Sequence, residues 1–409
     1  MAGSTEYSKY TSISFMVVHA TGKELTFMSS TLKIYILAIL SFLVGTSEYV
    51  IAGILDRIAV STGVSLVAAG QLITVFSLAY AFGTPLVMVM TARMERKRLL
   101  LFAIGFFVLS NALAYFLPGI ALLNASRILM GISAGVVVVV SMTIATKVAR
   151  PGKEGSALAA VLMGFTASLI FGVPLGRIMA TAYEWKAVFG VIALLGFAAI
   201  FLIALLIPRV EREEVVSLRQ QLALLKRPRV LIVLYVTFFW IIGYSIFYSY
   251  ITPFLLTQAG MSDEALNTIL FVIGLASLIG SRSGGYATDK WGLHRVLIIG
   301  LVLNGIALVL IALGTHAPVM LIAMLVLWSI AVWSLGPPQQ LHVITIAPES
   351  TGIMLSLNSM ILQLAMAAGA GAGGLVVERI SLSSITWFAA AAIALAFGAV
   401  QLSRRKSSQ

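Results

Sequence analysis

Apolar runs long enough to cross hydrocarbon follow one another along this chain, separated by short polar loops. A helix needs about 20 apolar residues to span a bilayer core. That ruler places predicted spans near 33–55, 67–91, 98–117, 120–146, 155–178, 186–207, 230–256, 264–287, 294–314, 318–340, 351–377 and 384–402. Near the middle the rhythm is broken by residues 208–229, PRVEREEVVSLRQQLALLKRPR, the longest charged segment between two apolar blocks. Its charges cannot cross hydrocarbon without several kcal/mol of penalty each. It reads as a linker outside the bilayer, with a surface helix at 211–225. The pattern predicts an all-α integral membrane protein of twelve transmembrane helices in two six-helix bundles. Its parts are a disordered extension over 1–27, a first bundle over 28–207, the linker over 208–229, a second bundle over 230–402 and a basic tail over 403–409.

The two halves read as copies. A shift of 197 positions places Arg93 on Lys290, Arg98 on Arg295, Gly172 on Gly369 and Gly176 on Gly373. One constant shift for features after the second and eighth spans, and within the fifth and eleventh, argues for a parallel internal repeat.

Composition agrees. Hydrophobic residues make up 60% of the 409 and charged residues 10%, against roughly 25% charged in a soluble domain. Side chains this apolar have the bilayer as their solvent. The net charge of +12 belongs to topology, because cytoplasmic loops are rich in Lys and Arg. The basic residues are scattered among short loops, a poor arrangement for nucleic acid. With no cysteine there is no disulfide, thiol nucleophile or thiolate metal site. The four histidines, His19, His294, His316 and His342, show no metal-ligand spacing. Neither a metal nor a cofactor is expected, and an enzyme lacks its nucleophile–base pair in the spans.

The Lys/Arg bias sets the expected orientation. One side carries Lys33, Arg93, Arg96, Lys97, Arg98, Lys147, Arg150, Lys153, the linker, Lys290, Arg295 and the tail; the other has Arg57, Lys186, Arg379 and, at the end of the fifth span, Arg177. Both termini and the linker are therefore expected in the cytoplasm, with the protein in the inner (plasma) membrane.

A few polar groups lie inside the spans, where they are expensive and mark ion or substrate pathways. Glu48 lies in the first span and must be protonated, paired or lining water, which suits reversible proton binding; the competing reading is an interfacial carboxylate. Arg127, at similar depth in the fourth span, would form an ion pair with Glu48 or bias it by proximity, or else fix two helices structurally. Arg282, in the eighth, reads as snorkelling. Trp240, Tyr244 and Tyr248 share one face of the seventh span, where aromatic rings can stack on a flat ligand or simply pack. Trp333 in the tenth span has the same two readings. Gln71 in the second span, with Asn358 and Gln363 in the eleventh, offer amides to a ligand that both donates and accepts, or join helices. In the fifth span, Pro174 breaks a backbone hydrogen bond, and Gly172 and Gly176 permit close helix approach.

Several of these segments resemble the major facilitator superfamily. GGYATDKWGLHR, over 284–295, is similar to its loop motif, with Gly285 opening it, Asp289 as the acidic switch residue and Lys290 and Arg295 as basic partners. The first-half copy, MVMTARMERKR, keeps Arg93, Arg96 and Lys97 but has Met88, Ala92 and Glu95 where Gly, Asp and Gly are usual. Arg127 opens RILMG, which resembles a fourth-helix motif linked to proton coupling, with Met130 in place of a usual Gln. GVPLG, from Gly172 through Pro174 to Gly176, resembles the fifth-helix motif of antiporters. SEYVIAGIL, AAGQLITVFSLAYAFGTPL, ERKRLLLFAI and WSLGPPQQ look like the drug:proton antiporter branch, nearest to purine base and nucleoside efflux pumps, with arabinose-type efflux permeases beside them.

The resemblance implies alternating access by rocking of two halves. It implies proton-coupled efflux of a small organic molecule, most of all a purine base or nucleoside, with multidrug or sugar efflux as alternatives. The expected partners are substrate, protons and lipid, with no nucleic acid, and one chain acting as a monomer. Met28 is a second candidate translation start, since residues 1–27 contain no predicted span. A chain starting at Met28 is expected to insert and transport at the full-length rate; loss of membrane insertion in a fractionation assay would give the extension a role.

Overall fold

A computed structural model describes residues 6–211, 224–314 and 318–407. Twelve helical stretches within them are long and apolar enough to cross a membrane, and no strand occurs among the described residues. The helices are α1 Glu6–Thr62, α2 Leu66–Met90, α3 Arg96–Phe116, α4 Ile120–Val148, α5 Glu154–Ala167, α6 Val173–Ala182 and α7 Trp185–Leu206 in the first half. In the second half they are α8 Pro228–Tyr248, α9 Ile251–Thr257, α10 Asp263–Trp291, α11 Leu293–Leu313, α12 Pro318–Ser334, α13 Gly336–Thr345, α14 Thr351–Arg379 and α15 Ile385–Ser407. α5 and α6 form one span, as do α12 and α13. Every expected span has its counterpart within a few residues, except that the seventh divides into α8 and α9.

Two regions differ from or escape the reading of the sequence. The α1 backbone is helical from Glu6, where disorder was expected. The expected linker helix falls almost wholly on residues outside those described.

The breaks in the helices have chemical causes. Pro174 has no N–H to offer the preceding turn, and the chain widens into a π turn, Ser168–Gly172, directly before it. α1 is interrupted at Ile54, whose φ of −127° and ψ of 17° leave the helical region. α2 and α10 each start with a serine cap, Ser65 accepting from Ala68 N–H and Ser262 from Ala265 N–H.

An even number of spans brings the linker and the end of the chain to one face, called here the basic face; the opposite one is the far face. In the first half, α1 packs on α4, α5 and α7, α2 on α4, and α3 on α4 and α7. In the second, α8 packs on α14 and α15, α10 on α12, and α11 on α12 and α15. The repeat is physical as well as textual. A side chain at Gly172 or Gly176 would strike Thr46 or Val50 of α1, and at Gly369 or Gly373 it would strike Ser245 of α8 or Tyr250 just beyond it. Matched glycines thus let the fifth helix of each half approach the first.

The halves meet through α2 on α14, the π turn and α6 on α10, and α1 on α9. These contacts belong to the middle and far face. Thr252 Oγ donates to Ala52 O at 2.8 Å, and Thr74 Oγ to Ala367 O at 3.4 Å. No comparable packing joins α4 or α5 to α12 or α13 among the described residues. The arrangement is closed at the far face and parted toward the basic face.

The basic-face loops hold elements within each half. Lys97 Nζ donates to Ala204 O at 2.8 Å at the end of α7, and Glu95 Oε1 accepts from Val210 N–H at 3.1 Å. Arg96 is buried, and its backbone N–H bonds Val210 O at 3.1 Å. Gly285 is half-buried beside Pro337, Lys290 lies 5.9 Å from the Tyr286 ring centroid, and Asp289, Arg295 and Arg93 lie toward water or headgroups.

Backbone approach is tightest at Gly164, where an added Cβ would meet only the Ala38 main chain. Gly105 has open space around it. Gly164→Val is expected to destabilise the protein by about 3 kcal/mol, since a backbone cannot yield as a side chain can. Gly105→Ala is expected to be neutral or slightly stabilising. Thermal unfolding in detergent checks the pair, and equal melting temperatures would refute the packing argument.

Candidate functional site

Glu48 sits midway along the spanning part of α1 and is 4% exposed. Across the boundary between the halves, Gln363 Nε2 of α14 donates to Glu48 Oε1 at 3.1 Å. Glu48 Oε2 and Gln363 Oε1 are both buried with no hydrogen-bond partner among the described residues. A buried polar atom left unsatisfied costs about 1–3 kcal/mol. Two of them on one hydrogen-bonded pair make this the least satisfied polar contact between the halves.

Arg127 of α4 is fully buried; its bonds go elsewhere than to Glu48, and its Nη2 has no partner among the described residues. Its Nη1 donates to Ser47 O at 2.7 Å and to Met130 Sδ at 3.2 Å, its Nε to Leu72 O at 3.3 Å, and its guanidinium lies 4.2 Å from the Phe76 ring centroid. Met130 Sδ also accepts from Ser47 Oγ at 2.9 Å. The arginine therefore ties α4 to α1 and α2 and acts on Glu48 through space.

An aromatic wall adjoins the carboxylate. Tyr49 meets Tyr248 edge-on at 6.3 Å and Phe165 at 5.7 Å. Tyr244 stacks on Tyr248 at 4.9 Å and on Trp328 at 5.8 Å, and meets Trp333 edge-on at 6.0 Å. A narrow crevice runs between these rings and Leu169, Val173 and Gly274, so its walls come from both halves. Trp240, one turn nearer the basic face, and Trp328 have buried indole N–H groups without partners.

Other expected members lie elsewhere. Gln71 is exposed at the far end of α2, away from the crevice. Asn358 belongs to a separate cluster nearer the basic face, where Thr237 Oγ donates to Asn358 Oδ1 at 2.7 Å. There Gln339 Nε2 donates to Thr237 Oγ and to Val233 O, both at 2.8 Å. Gln339 was not singled out by sequence, although it stands in WSLGPPQQ. Gly172 and Gly176 pack helices, and Pro174 follows the π turn, so none lines the polar part of the site except through the backbone they shape. His294 and His342, distant in sequence, come to 5.3 Å between ring centroids, and His342 Nε2 lies 3.1 Å from Ser403 Oγ. No group of metal-ligating residues forms among the described residues.

The largest surprise is ionic. Arg177, read as a far-side loop charge, is 0% exposed and bonds two aspartates, Asp56 and Asp263. Arg57 joins the same group through Asp263. Four charges near the ends of three spans, on the face poorest in charge, were the signal available in the sequence.

Comparison with known proteins agrees with this architecture. The family described as Major Facilitator Superfamily matches residues 37–284 and again 283–408. The "Uncharacterized MFS-type transporter YbcL" of Bacillus subtilis (strain 168) is 53% identical over 369 residues, covering 90% of this chain and 95% of its own. The "Probable sugar efflux transporter" of Helicobacter acinonychis (strain Sheeba) is 27% identical over 370 residues, covering 90% and 93%. A bacterial homolog of the human lysosomal transporter Spinster, solved in an inward-facing and unoccupied conformation, superposes with a TM-score of 0.73 at 16% identity, covering 91% and 97%. That last likeness speaks to the fold.

Lysine at 127 would keep the charge but not the fork that reaches Ser47 O and Leu72 O together. Arg127→Lys is expected to cost about 2 kcal/mol in stability through carbonyls left unpaired, read as a lower melting temperature. An unchanged melt would show that these bonds do not hold α4 in place.

Proposed function

Since this chain belongs to the major facilitator superfamily and is a twelve-span membrane transporter, we propose that it exports a flat, hydrogen-bonding organic molecule, a purine base or nucleoside, in exchange for protons. The observation that carries this reading is the Gln363–Glu48 hydrogen bond across the halves, with Glu48 Oε2 unpartnered beside the aromatic wall. That oxygen can take a proton or the N–H of a substrate, but not both at once. Mutually exclusive occupancy of one carboxylate gives antiport when the halves rock with either ligand bound and not when the site is empty. Substrate bound from the basic face would take Oε2. Proton entry from the far face would displace the substrate, and the proton would leave after the halves rock back.

The chemistry around the crevice supports this substrate class. Tyr244, Tyr248 and Trp333 offer faces and edges to a planar ring. Glu48 Oε2 and Gln363 Oε1 offer two unpaired acceptors to the N–H groups of its edge. Polar contacts of this kind discriminate strongly, because an analogue lacking the group leaves a buried partner unpaired. The basic face is cytoplasmic in this reading, by the positive-inside rule, and the membrane is the inner (plasma) membrane. One chain carries both walls of the crevice and works as a monomer. Asp289 and Lys290, with the basic loop over 93–98, act at helix ends to bias the rocking equilibrium. Sugar efflux is the second reading. It draws on the Helicobacter acinonychis relative and on the same carboxylate and amide, which also bind hydroxyls.

Glu48→Gln keeps size and one hydrogen bond but cannot titrate. In proteoliposomes it is expected to lose pH-gradient-driven hypoxanthine transport while retaining exchange without a gradient. Gradient-driven transport at the wild-type rate would remove Glu48 from the proton path. Tyr244→Ala and Gln363→Ala are expected to weaken hypoxanthine binding about tenfold each, the scale of one lost stacking or buried polar contact. Arabinose transport with no hypoxanthine transport would favour the second reading, and export of lipophilic cations alone would sink both.

A further inference from the structure

At the far face, four charged side chains close the boundary between the halves. Asp56 and Arg57 follow the break in α1, Arg177 lies in α6, and Asp263 is the first residue of α10. Arg57 Nη2 donates to Asp263 Oδ2 at 2.6 Å, and Arg177 Nη2 donates to Asp263 Oδ1 at 2.6 Å. Each oxygen of the second-half aspartate is therefore held by a different arginine of the first half. Arg177 is also held within its own half. It bonds both Asp56 oxygens, at 2.7 and 3.1 Å, and donates to Gly53 O at 2.7 Å, next to the break at Ile54.

We propose that Asp263 is the latch of the far gate, a positioning residue whose release from Arg57 and Arg177 sets how readily the transporter opens outward. The first-half group carries one negative and two positive charges and the second-half partner one negative charge, so the closed face is neutral. On opening, the fully buried Arg177 keeps Asp56 and Gly53 O and is never left as an unpaired buried charge, the costly case. The groups that lose partners are Asp263, 39% exposed, and Arg57, 35% exposed, both within reach of water. The freed carboxylate stays at the N-terminus of α10, behind the Ser262 cap, where negative charge is favoured. The bonds are charge-assisted and short enough to hold the face shut. Their wet edge lets them part within a transport cycle. Thr252 and Ala52 supply a neutral bond across the same boundary.

The proposal rests on alternating access and not on the substrate or on Glu48. The absence of native cysteine permits a direct test. Spin labels at Val60→Cys in the first half and Gln258→Cys in the second, both exposed, report the width of the far mouth by pulsed EPR. No substrate or pH gradient is added, so this result stands apart from that of the transport assay. Asp263→Asn is expected to add a longer-distance population and to raise the open-to-closed ratio about tenfold or more, the scale of one charged hydrogen bond. Arg57→Gln is expected to shift it in the same direction by less, because Arg177 still holds the other oxygen. The double variant should not exceed Asp263→Asn alone, since both remove one shared bond. If Asp263→Asn fails to fold, the partly exposed Arg57→Gln decides. Unchanged distances in a folded variant, or a lowered melting temperature with unchanged distances, would overturn the latch and leave a structural ion pair.

Discussion

A polar atom in hydrocarbon has no water to bond, so the protein must supply its partner. This constraint orders the whole molecule. It makes the spans helical, so that backbone groups pair within each segment. It explains why Ser and Thr hydroxyls in the spans turn back to carbonyls of the preceding turn, as Ser110 does to Phe107 O and Thr288 to Gly284 O. It also accounts for Arg127, whose Nε and Nη1 donate to carbonyls and a thioether and whose guanidinium lies on an aromatic face, although its Nη2 has no partner among the described residues. Atoms that escape the constraint stand out. Glu48 Oε2 and Gln363 Oε1 are among them, and they sit on two residues that hydrogen-bond across the halves.

α1 carries two cross-boundary polar contacts of different character. Near its middle, Glu48 takes one neutral-donor hydrogen bond from Gln363. Two turns on, past the break at Ile54, Arg57 takes part in an ionic group with Asp263. The first is dry and underbonded, so a proton or a ligand changes it greatly. The second is partly wet and ionic, with each Asp263 oxygen held by an arginine. A helix broken between the two can transmit a shift at one without rigidly copying it at the other. The break also frees Gly53 O for Arg177, which ties the far segment of α1 to α6.

The fold was largely legible because hydrocarbon length is a ruler that sequence carries openly, and twelve apolar runs gave twelve spans. The repeat was legible through four matched residues, and the glycines among them proved to do matching work against the first helix of each half. The site was legible in part. Glu48 and Gln363 were visible as rare polar residues in apolar runs, and the aromatic face of α8 as a periodicity. Their meeting was not visible, since it depends on how two bundles lean together. Gln71 and Asn358 looked equivalent to Gln363 in composition, yet one lies exposed at a helix end and the other is held by Thr237. Sequence gives a side chain's chemistry and its helix, while depth and azimuth decide its partner. The Arg177 network was missed because charges near span ends read as loop charges, and only the packing of α6 against α1 and α10 buries them.

At mid-membrane the arginine and the carboxylate are kept apart. A direct Arg127–Glu48 ion pair would give each buried group a charged partner. With its fork engaged by Ser47 O and Leu72 O, Arg127 leaves Glu48 a cation nearby but no donated hydrogen bond. The carboxylate then depends on the amide of Gln363, which belongs to the other half. The one hydrogen bond that the Glu48 carboxylate accepts among the described residues therefore comes from the half to which it does not belong. A bond made within one bundle would be indifferent to how the two bundles lie, whereas this one is not.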